Sequence, residues 1–137
     1  MESSQAPLIR KANHAGSWYK DRPTELKADI ANFLSPGEVL IPDLRPSHHT
    51  LRGLISPHAG FRYSGPTGGQ AFRHLLPRIA GYKRVIVMGP SHKVYMDFIG
   101  TTKCQKWATP IGDIDIDLDT VKELVTLKDP NGGGSLF

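Results

Sequence analysis

Two short apolar runs constrain this chain more than any other feature, because each ends at a proline and is followed by a histidine. Residues 54–56 read LIS and are followed by PHAG, and residues 85–88 read VIVM and are followed by GPSH. Short runs rich in β-branched residues and bounded by glycine or proline are typical of buried strands. Proline suits a strand's end because it has no N–H to donate to a neighbour. Both apolar runs are therefore predicted to be strands.

The segment between the runs, residues 65–83, has apolar side chains at helical spacing, namely Ala71, Phe72, Leu75, Leu76 and Ile79. A strand, a helix and a second strand at this separation predict a crossover unit with parallel strands. Ligands of open α/β sheets bind outside the carboxyl ends of the strands. His58 and His92, which follow the two predicted strands, are therefore expected to meet in one pocket at that edge.

Further elements are predicted on both sides of this unit. A helix is expected over residues 23–34, with Pro23 at its first position and apolar residues at helical spacing. Residues 98–102 and the strictly alternating residues 113–118 are expected to be strands. A last helix is predicted from residue 119 or 120, with Thr120 and Glu123 spaced as a capping box.

Together these elements predict an α/β fold with a mixed, largely parallel sheet flanked by helices. The 137 residues, of which 39% are hydrophobic and 22% charged, suit one domain with one core. Residues 1–9 are predicted to be a flexible tail, and residues 10–137 are assigned to the α/β domain.

Charge, hydropathy and cysteine content indicate which partners and which cellular compartment to expect. The net charge of +4 comes from basic residues scattered along the chain, so nucleic acid is not expected to bind. No apolar run approaches the roughly 20 residues of a membrane span, and the first residues lack signal-peptide patterning. Cys104 is the single cysteine, which fits a reducing compartment. The protein is therefore expected to be cytoplasmic.

Histidines are the strongest candidates for chemistry. His58 and His92 offer nitrogen ligands suited to iron, copper or zinc, but a metal site normally needs a third donor that the sequence does not identify. The same two residues equally suit the lining of a pocket without metal. The neighbouring pair His48 and His49 lies in a polar, proline-containing segment and is interpreted as exposed.

A second pattern, His-Ala-Gly-x-x-Tyr, occurs twice, at residues 14–19 and 58–63. Small residues after a histidine let the backbone approach a ligand closely. The two motifs supply aromatic side chains suited to pocket walls, although buried aromatic packing explains them equally well. The predicted ligand pocket therefore contains His14, Trp18 and Tyr63.

Four motifs in this order, NHAGSWY, SPHAGFRYSG, VIVMGPSHK and TPIGDIDID, resemble the N-terminal half of the Memo family, mediators of ErbB2-driven cell motility. The resemblance implies a fold similar to class III extradiol (LigB-like) dioxygenases, which use non-haem iron. It implies that His58 and His92 match the metal-binding histidines of the family pocket. It also implies that Trp18 and Tyr63 line that pocket, for which phosphotyrosine peptides have been proposed as ligands.

The resemblance also implies what to expect of the function. Family chains continue into a C-terminal half with further metal ligands, so an iron or copper site is expected to be incomplete here. The leading interpretation is a signalling protein whose pocket takes a redox-active metal, a phosphotyrosine-type peptide, or both. A non-haem iron dioxygenase and a metal-free peptide-binding adaptor are the alternatives. Residues 85–87 are expected at an exposed apolar edge, where the chain would associate with itself.

Overall fold

The computed structural model describes residues 6–35 and 51–128. They divide into two compact units, one made of residues 6–13 and 89–128 and the other of residues 14–35 and 51–88. Below, these are called the sheet unit and the helical unit. The predicted pair His48 and His49 lies outside the described residues.

The sheet unit contains a small three-stranded sheet. Its strands are β1 (Ile9–Arg10), β2 (Lys106–Trp107) and β3 (Ile114–Asp115). Strand β2 is central, and it pairs in parallel with β1 and antiparallel with β3. The predicted α/β class with a mixed sheet is therefore confirmed. Strand β1 includes Ile9, the last residue of the segment predicted to be a flexible tail.

Helix α3 (Leu118–Leu124) follows the sheet in this unit, close to the predicted position. The predicted capping box is wrong, because the residue that caps the helix is Asp117, whose carboxylate accepts a hydrogen bond from the Thr120 backbone N–H at 3.0 Å. Thr120 therefore occupies the third helical position rather than the cap. An acidic side chain suits this end because the free N–H groups of a helix start attract negative charge.

The helical unit is built on helices α1 (Pro23–Leu34) and α2 (Phe61–Phe72). Helix α1 has the predicted bounds, with proline at its start and Ser35 at its end. Helix α2 starts before the predicted residue 65 and is followed by a 3-10 segment, Arg73–Gly81, which is interrupted at Arg78.

Helices α1 and α2 pack closely because small residues of α2 face α1. A β-carbon on Gly65 would lie 2.5 Å from the Phe33 ring, and one on Gly69 would lie 2.2 Å from the Phe33 carbonyl oxygen. Leu26 on α1 is the one buried hydrophobic side chain of large size among the described residues, at 4% exposure. The α1–α2 contact is therefore the densest part of this unit.

The main difference from the sequence-based prediction concerns the crossover strands. Neither apolar run, 54–56 or 85–88, is a strand, and residues 98–102 are not one either. The alternating segment 113–118 contributes only Ile114–Asp115 to the sheet. A strand forms only where a neighbour accepts its backbone hydrogen bonds, and the runs have extended patterning without such a neighbour in the described sheet.

Candidate functional site

The first His-Ala-Gly motif folds into a tight turn at the start of the helical unit. The Gly16 N–H donates to the Tyr19 carbonyl at 2.8 Å, and the Trp18 N–H donates to the His14 carbonyl at 2.9 Å. Gly16 has a φ of +80°, a conformation that glycine adopts without steric cost. The turn brings the imidazole of His14 to 4.6 Å from the Trp18 ring, measured between ring centroids.

The second motif packs directly against the first. The Phe61 N–H donates to the Trp18 carbonyl at 2.8 Å, which ties the start of α2 to the turn. Gly60 precedes the helix, and a β-carbon there would lie 3.3 Å from the same carbonyl oxygen. The Ser64 hydroxyl donates to the Ala59 carbonyl at 2.6 Å and holds the chain entering α2. The two motifs, residues 14–19 and 58–63, therefore form one structural element, called the paired motifs below.

An aromatic cluster extends from the paired motifs to helix α1. The rings of Tyr19 and Phe61 lie 5.4 Å apart, and Phe61 meets Phe33 edge-to-face at 6.1 Å. Such offset and edge-on arrangements are the favourable geometries for aromatic pairs. The cluster fixes Phe61 between the turn and α1, so the wall of the site is set by packing rather than by a mobile loop.

A groove of about 690 Å³ opens beside this cluster and is called the motif groove below. It is lined by one edge of the turn and by residues of α1 and α2: Gly16, Ser17, Trp18, Tyr19, Lys20, Asp21, Arg22, Glu25, Asp29, Phe33, Phe61 and Arg62. Glu25 lies 3.3 Å from the guanidinium of Arg22 and 3.7 Å from the Lys20 ammonium. The groove thus combines aromatic surface with charges of both signs.

The predicted ligand-pocket residues are distributed as follows. His14, Trp18 and Tyr63 all lie on the paired motifs, and Trp18 lines the motif groove. Trp18 is 45% exposed and Tyr63 is 76% exposed, so both present ring surface to solvent. The Tyr63 N–H donates to the Gly60 carbonyl at 2.8 Å, in the first turn of α2.

The predicted metal ligands belong to different units. His58 is part of the helical unit and His92 part of the sheet unit, so their meeting at one metal stays a prediction. In residues 6–35 and 51–128, no group of three or more histidine, cysteine, aspartate or glutamate side chains could hold a metal ion. Cys104 is a free, half-buried thiol in the sheet unit.

Several groove residues were missed by sequence reasoning, chiefly Phe33, Arg62 and the acidic residues of α1. The repeat itself carries the missed signal, because residues 61–62 occupy the same two variable positions as Ser17 and Trp18. Phe33 on α1 meets Phe61 edge-to-face and also lines the motif groove. A second cavity of about 510 Å³ is lined by residues 76–82 and contains none of the predicted site residues.

No helix in the described part of the chain is both long and apolar enough to cross a bilayer.

Sequence comparison relates the chain to one family. The Memo-like protein family matches residues 10–131. MEMO1 family protein MHO1 of Saccharomyces cerevisiae is 37% identical over 131 residues, which cover 94% of this chain and 37% of the yeast protein.

Animal relatives give the same result. Protein memo-1 homolog of Caenorhabditis elegans is 36% identical over 84% of this chain and 30% of its own length. Protein MEMO1 of Xenopus tropicalis is 32% identical over 83% of this chain and 35% of its own length. The chain spans about a third of the length of the curated relatives it matches. The predicted family is confirmed, and this chain belongs to the Memo-like proteins.

Proposed function

We propose that this chain is a Memo-like binding protein whose motif groove takes the side chain of a phosphotyrosine-type peptide. The observation that carries the proposal is the contact between the two His-Ala-Gly motifs, which sets Trp18 and Phe61 side by side along one groove. Aromatic walls with polar groups at the rim are typical of sites that bind planar ligands.

Charge supports a phosphorylated ligand. Arg62 is exposed and lines the groove together with Trp18 and Phe61, so the groove holds a cationic side chain as well as aromatic ones. A phosphotyrosine carries about −1.5 to −2 charges at neutral pH and accepts hydrogen bonds on three oxygens. Arginine suits such an acceptor because its planar fork of N–H groups donates two parallel hydrogen bonds. In this proposal Trp18 stacks on the tyrosine ring and Arg62 holds the phosphate.

A redox-active metal on His58 and His92 is the other half of the expected function. Iron and copper sites in proteins normally have at least three protein ligands in a fixed geometry, and two imidazoles alone do not make such a site. The described residues offer no group of three such donors, so we derive no chemical step through a metal. Ring cleavage of catechols by a non-haem iron enzyme remains the enzymatic alternative.

Calorimetric titration of the 137-residue chain tests the peptide proposal. The probes are a pentapeptide with phosphotyrosine between two pairs of glycines and the same peptide with unmodified tyrosine. We expect 1:1 binding of the phosphopeptide, and binding of the unmodified peptide weaker by about tenfold or more, since each lost charge-assisted contact costs about that factor. Equal binding of the two peptides, or no binding of either, would contradict the proposal.

Variants assign the two contacts. Arg62→Gln should weaken phosphopeptide binding about tenfold and leave the unmodified peptide unchanged, while Arg52→Gln removes an exposed charge outside the groove and should change neither. Trp18→Ala should weaken both peptides, and Tyr95→Ala, which removes a 94% exposed ring in the sheet unit, is its control. Metal analysis of the purified chain and a catechol ring-cleavage assay decide the alternative.

A further inference from the structure

One face of helix α1 forms a side of the motif groove. Glu25, Asp29 and Phe33 line the groove and follow one another at intervals of four residues. Residues four apart lie on the same helical face, and at about 1.5 Å of rise per residue these three cover about 12 Å of the helix. Phe33 meets the Phe61 ring edge-to-face at 6.1 Å. The groove therefore extends along α1 from an aromatic end to a charged end.

The three carboxylates that line the groove are not equivalent. Glu25 lies 3.3 Å from the guanidinium of Arg22 and 3.7 Å from the ammonium of Lys20. Asp29 makes no hydrogen bond or ion pair among the described residues. It is half-buried, whereas Glu25 and Asp21 are exposed. Because water and salt screen a half-buried charge less than an exposed one, Asp29 is the groove carboxylate best placed to pair with a cation of a ligand.

We propose that Asp29 is a specificity-determining residue, which selects phosphotyrosine peptides that carry a lysine or arginine two positions from the phosphotyrosine; this inference rests on the proposed function of the motif groove. Asp29 lies one helical turn, about 6 Å along the axis, from Phe33. Residues two apart in an extended peptide are about 6.6 to 6.8 Å apart. With the tyrosine ring at the aromatic end, a cation two positions away is therefore level with Asp29.

The same carboxylate selects against acidic peptides. A peptide that carries both a phosphate and a cation can pair with Arg62 and with Asp29, since both side chains line the groove. An acidic residue at the position of that cation would instead face the Asp29 carboxylate, and like charges in contact lower affinity. Asp29 thus supplies both the attraction for one class of peptide and the repulsion of another.

Calorimetric titration of the 137-residue chain with a set of phosphopeptides tests the inference. The reference peptide has phosphotyrosine between two pairs of glycines and blocked ends, and lysine replaces the first glycine in one peptide and the last in another. We expect one of the two lysine peptides to bind at least about threefold more tightly than the reference, because a partly shielded ion pair forms. Glutamate at the same position should weaken binding, and added salt should reduce both effects.

Variants assign the preference to one carboxylate. In Asp29→Asn, which keeps the shape and removes the charge, the ratio of lysine-peptide to reference affinity should fall to about one. Asp97→Asn removes an exposed charge outside the groove and should leave that ratio unchanged. Asp29→Lys should reverse the preference, so that the glutamate peptide binds more tightly than the lysine peptide.

The outcomes separate this inference from the function on which it rests. If the reference phosphopeptide does not bind, the proposed function fails and the inference fails with it. If the reference binds and neither lysine peptide binds more tightly, the inference alone is overturned. A preference for lysine that survives Asp29→Asn would also overturn it, because another group would then hold the cation.

Discussion

The paired motifs and the two apolar runs, residues 54–56 and 85–88, belong to the same unit, yet the motifs are in contact with each other while much of the runs is exposed. The paired motifs are joined by the hydrogen bond of 2.8 Å from the Phe61 N–H to the Trp18 carbonyl and by the contact between the Tyr19 and Phe61 rings. The apolar runs have the stronger strand patterning, yet every residue of the second run, 85–88, is more than two-thirds exposed. The difference shows that packing in this unit depends on which hydrogen-bond partners are available. Turns and helix starts find their partners within a few residues, whereas a strand needs a second strand beside it.

The largest effect is expected where the two helices touch. In Gly69→Ala, the new methyl would lie 2.2 Å from the backbone oxygen of Phe33, which cannot rotate away. We expect a loss of about 1–3 kcal/mol in the free energy of unfolding, which outweighs the roughly 1 kcal/mol that alanine gains in a helix. Urea denaturation followed by circular dichroism measures it.

Gly81→Ala is the matched control for this change, because a β-carbon there meets nothing within 4 Å. It should change stability by less than about 0.5 kcal/mol. Equal stability of the two variants would show that α1 and α2 are not packed as described, and the contrast with the exposed apolar runs would disappear.

A smaller effect is expected in the turn of the first motif. Gly16→Ala forces a β-carbon into a φ of +80° and should cost about 1–2 kcal/mol. The control is Gly53→Ala, because Gly53 has an ordinary φ and open space around it. Thermal unfolding of both variants compares them. An unchanged melting temperature for the Gly16→Ala chain would mean that the turn is not a fixed part of the site.

The smallest effect on stability is expected in the sheet unit, from the exposed ion pair between Lys106 and Asp115. The hydrogen bond and charge of Asp115, 3.0 Å from the Lys106 ammonium, raise the pKa of Lys106 above its ordinary value of 10.5. The folded state therefore holds the Lys106 proton more tightly than the unfolded state does. The contribution of the Lys106–Asp115 pair to stability is complete below pH 10.5 and is lost as the pH rises through the raised pKa.

The Asp115→Asn chain should consequently melt less than about 3 °C lower at pH 7, because exposed ion pairs contribute little. The difference from wild type should shrink further once the pH passes the raised pKa of Lys106. Melting temperatures of both proteins from pH 7 to pH 11.5 measure this. A difference that grows with pH would contradict the assigned pair.

Sequence reasoning predicted the elements that are specified by neighbouring residues. Helix α1 has the predicted bounds because Pro23 fixes its start and its apolar side chains recur at helical spacing. The repeat at residues 14–19 and 58–63 was recognised, but periodicity cannot show that the Trp18 carbonyl accepts a bond from Phe61. That contact joins segments more than forty residues apart, and only tertiary structure brings them together.

The predicted crossover strands failed for the opposite reason. The β-branched runs satisfy every local rule for strands, but a strand also needs a paired backbone, and the described sheet is formed by β1, β2 and β3 instead. Strand β2 was missed because Lys106–Trp107 has no alternating pattern around it and pairs through only two residues on each side. The predicted site at the carboxyl ends of the crossover strands is therefore untested, while the paired motifs are in contact.

Chemical-shift mapping of the ¹⁵N-labelled chain with the glycine-flanked phosphotyrosine peptide tests the central claim most directly. If the paired motifs form one binding groove, amides of residues 16–22 and of residues 61–62 will shift together and follow one binding curve. The apolar runs at residues 54–56 and 85–88 will not respond. Shifts confined to one motif, two different curves for the two motifs, or changes centred on residues 85–88 would contradict it.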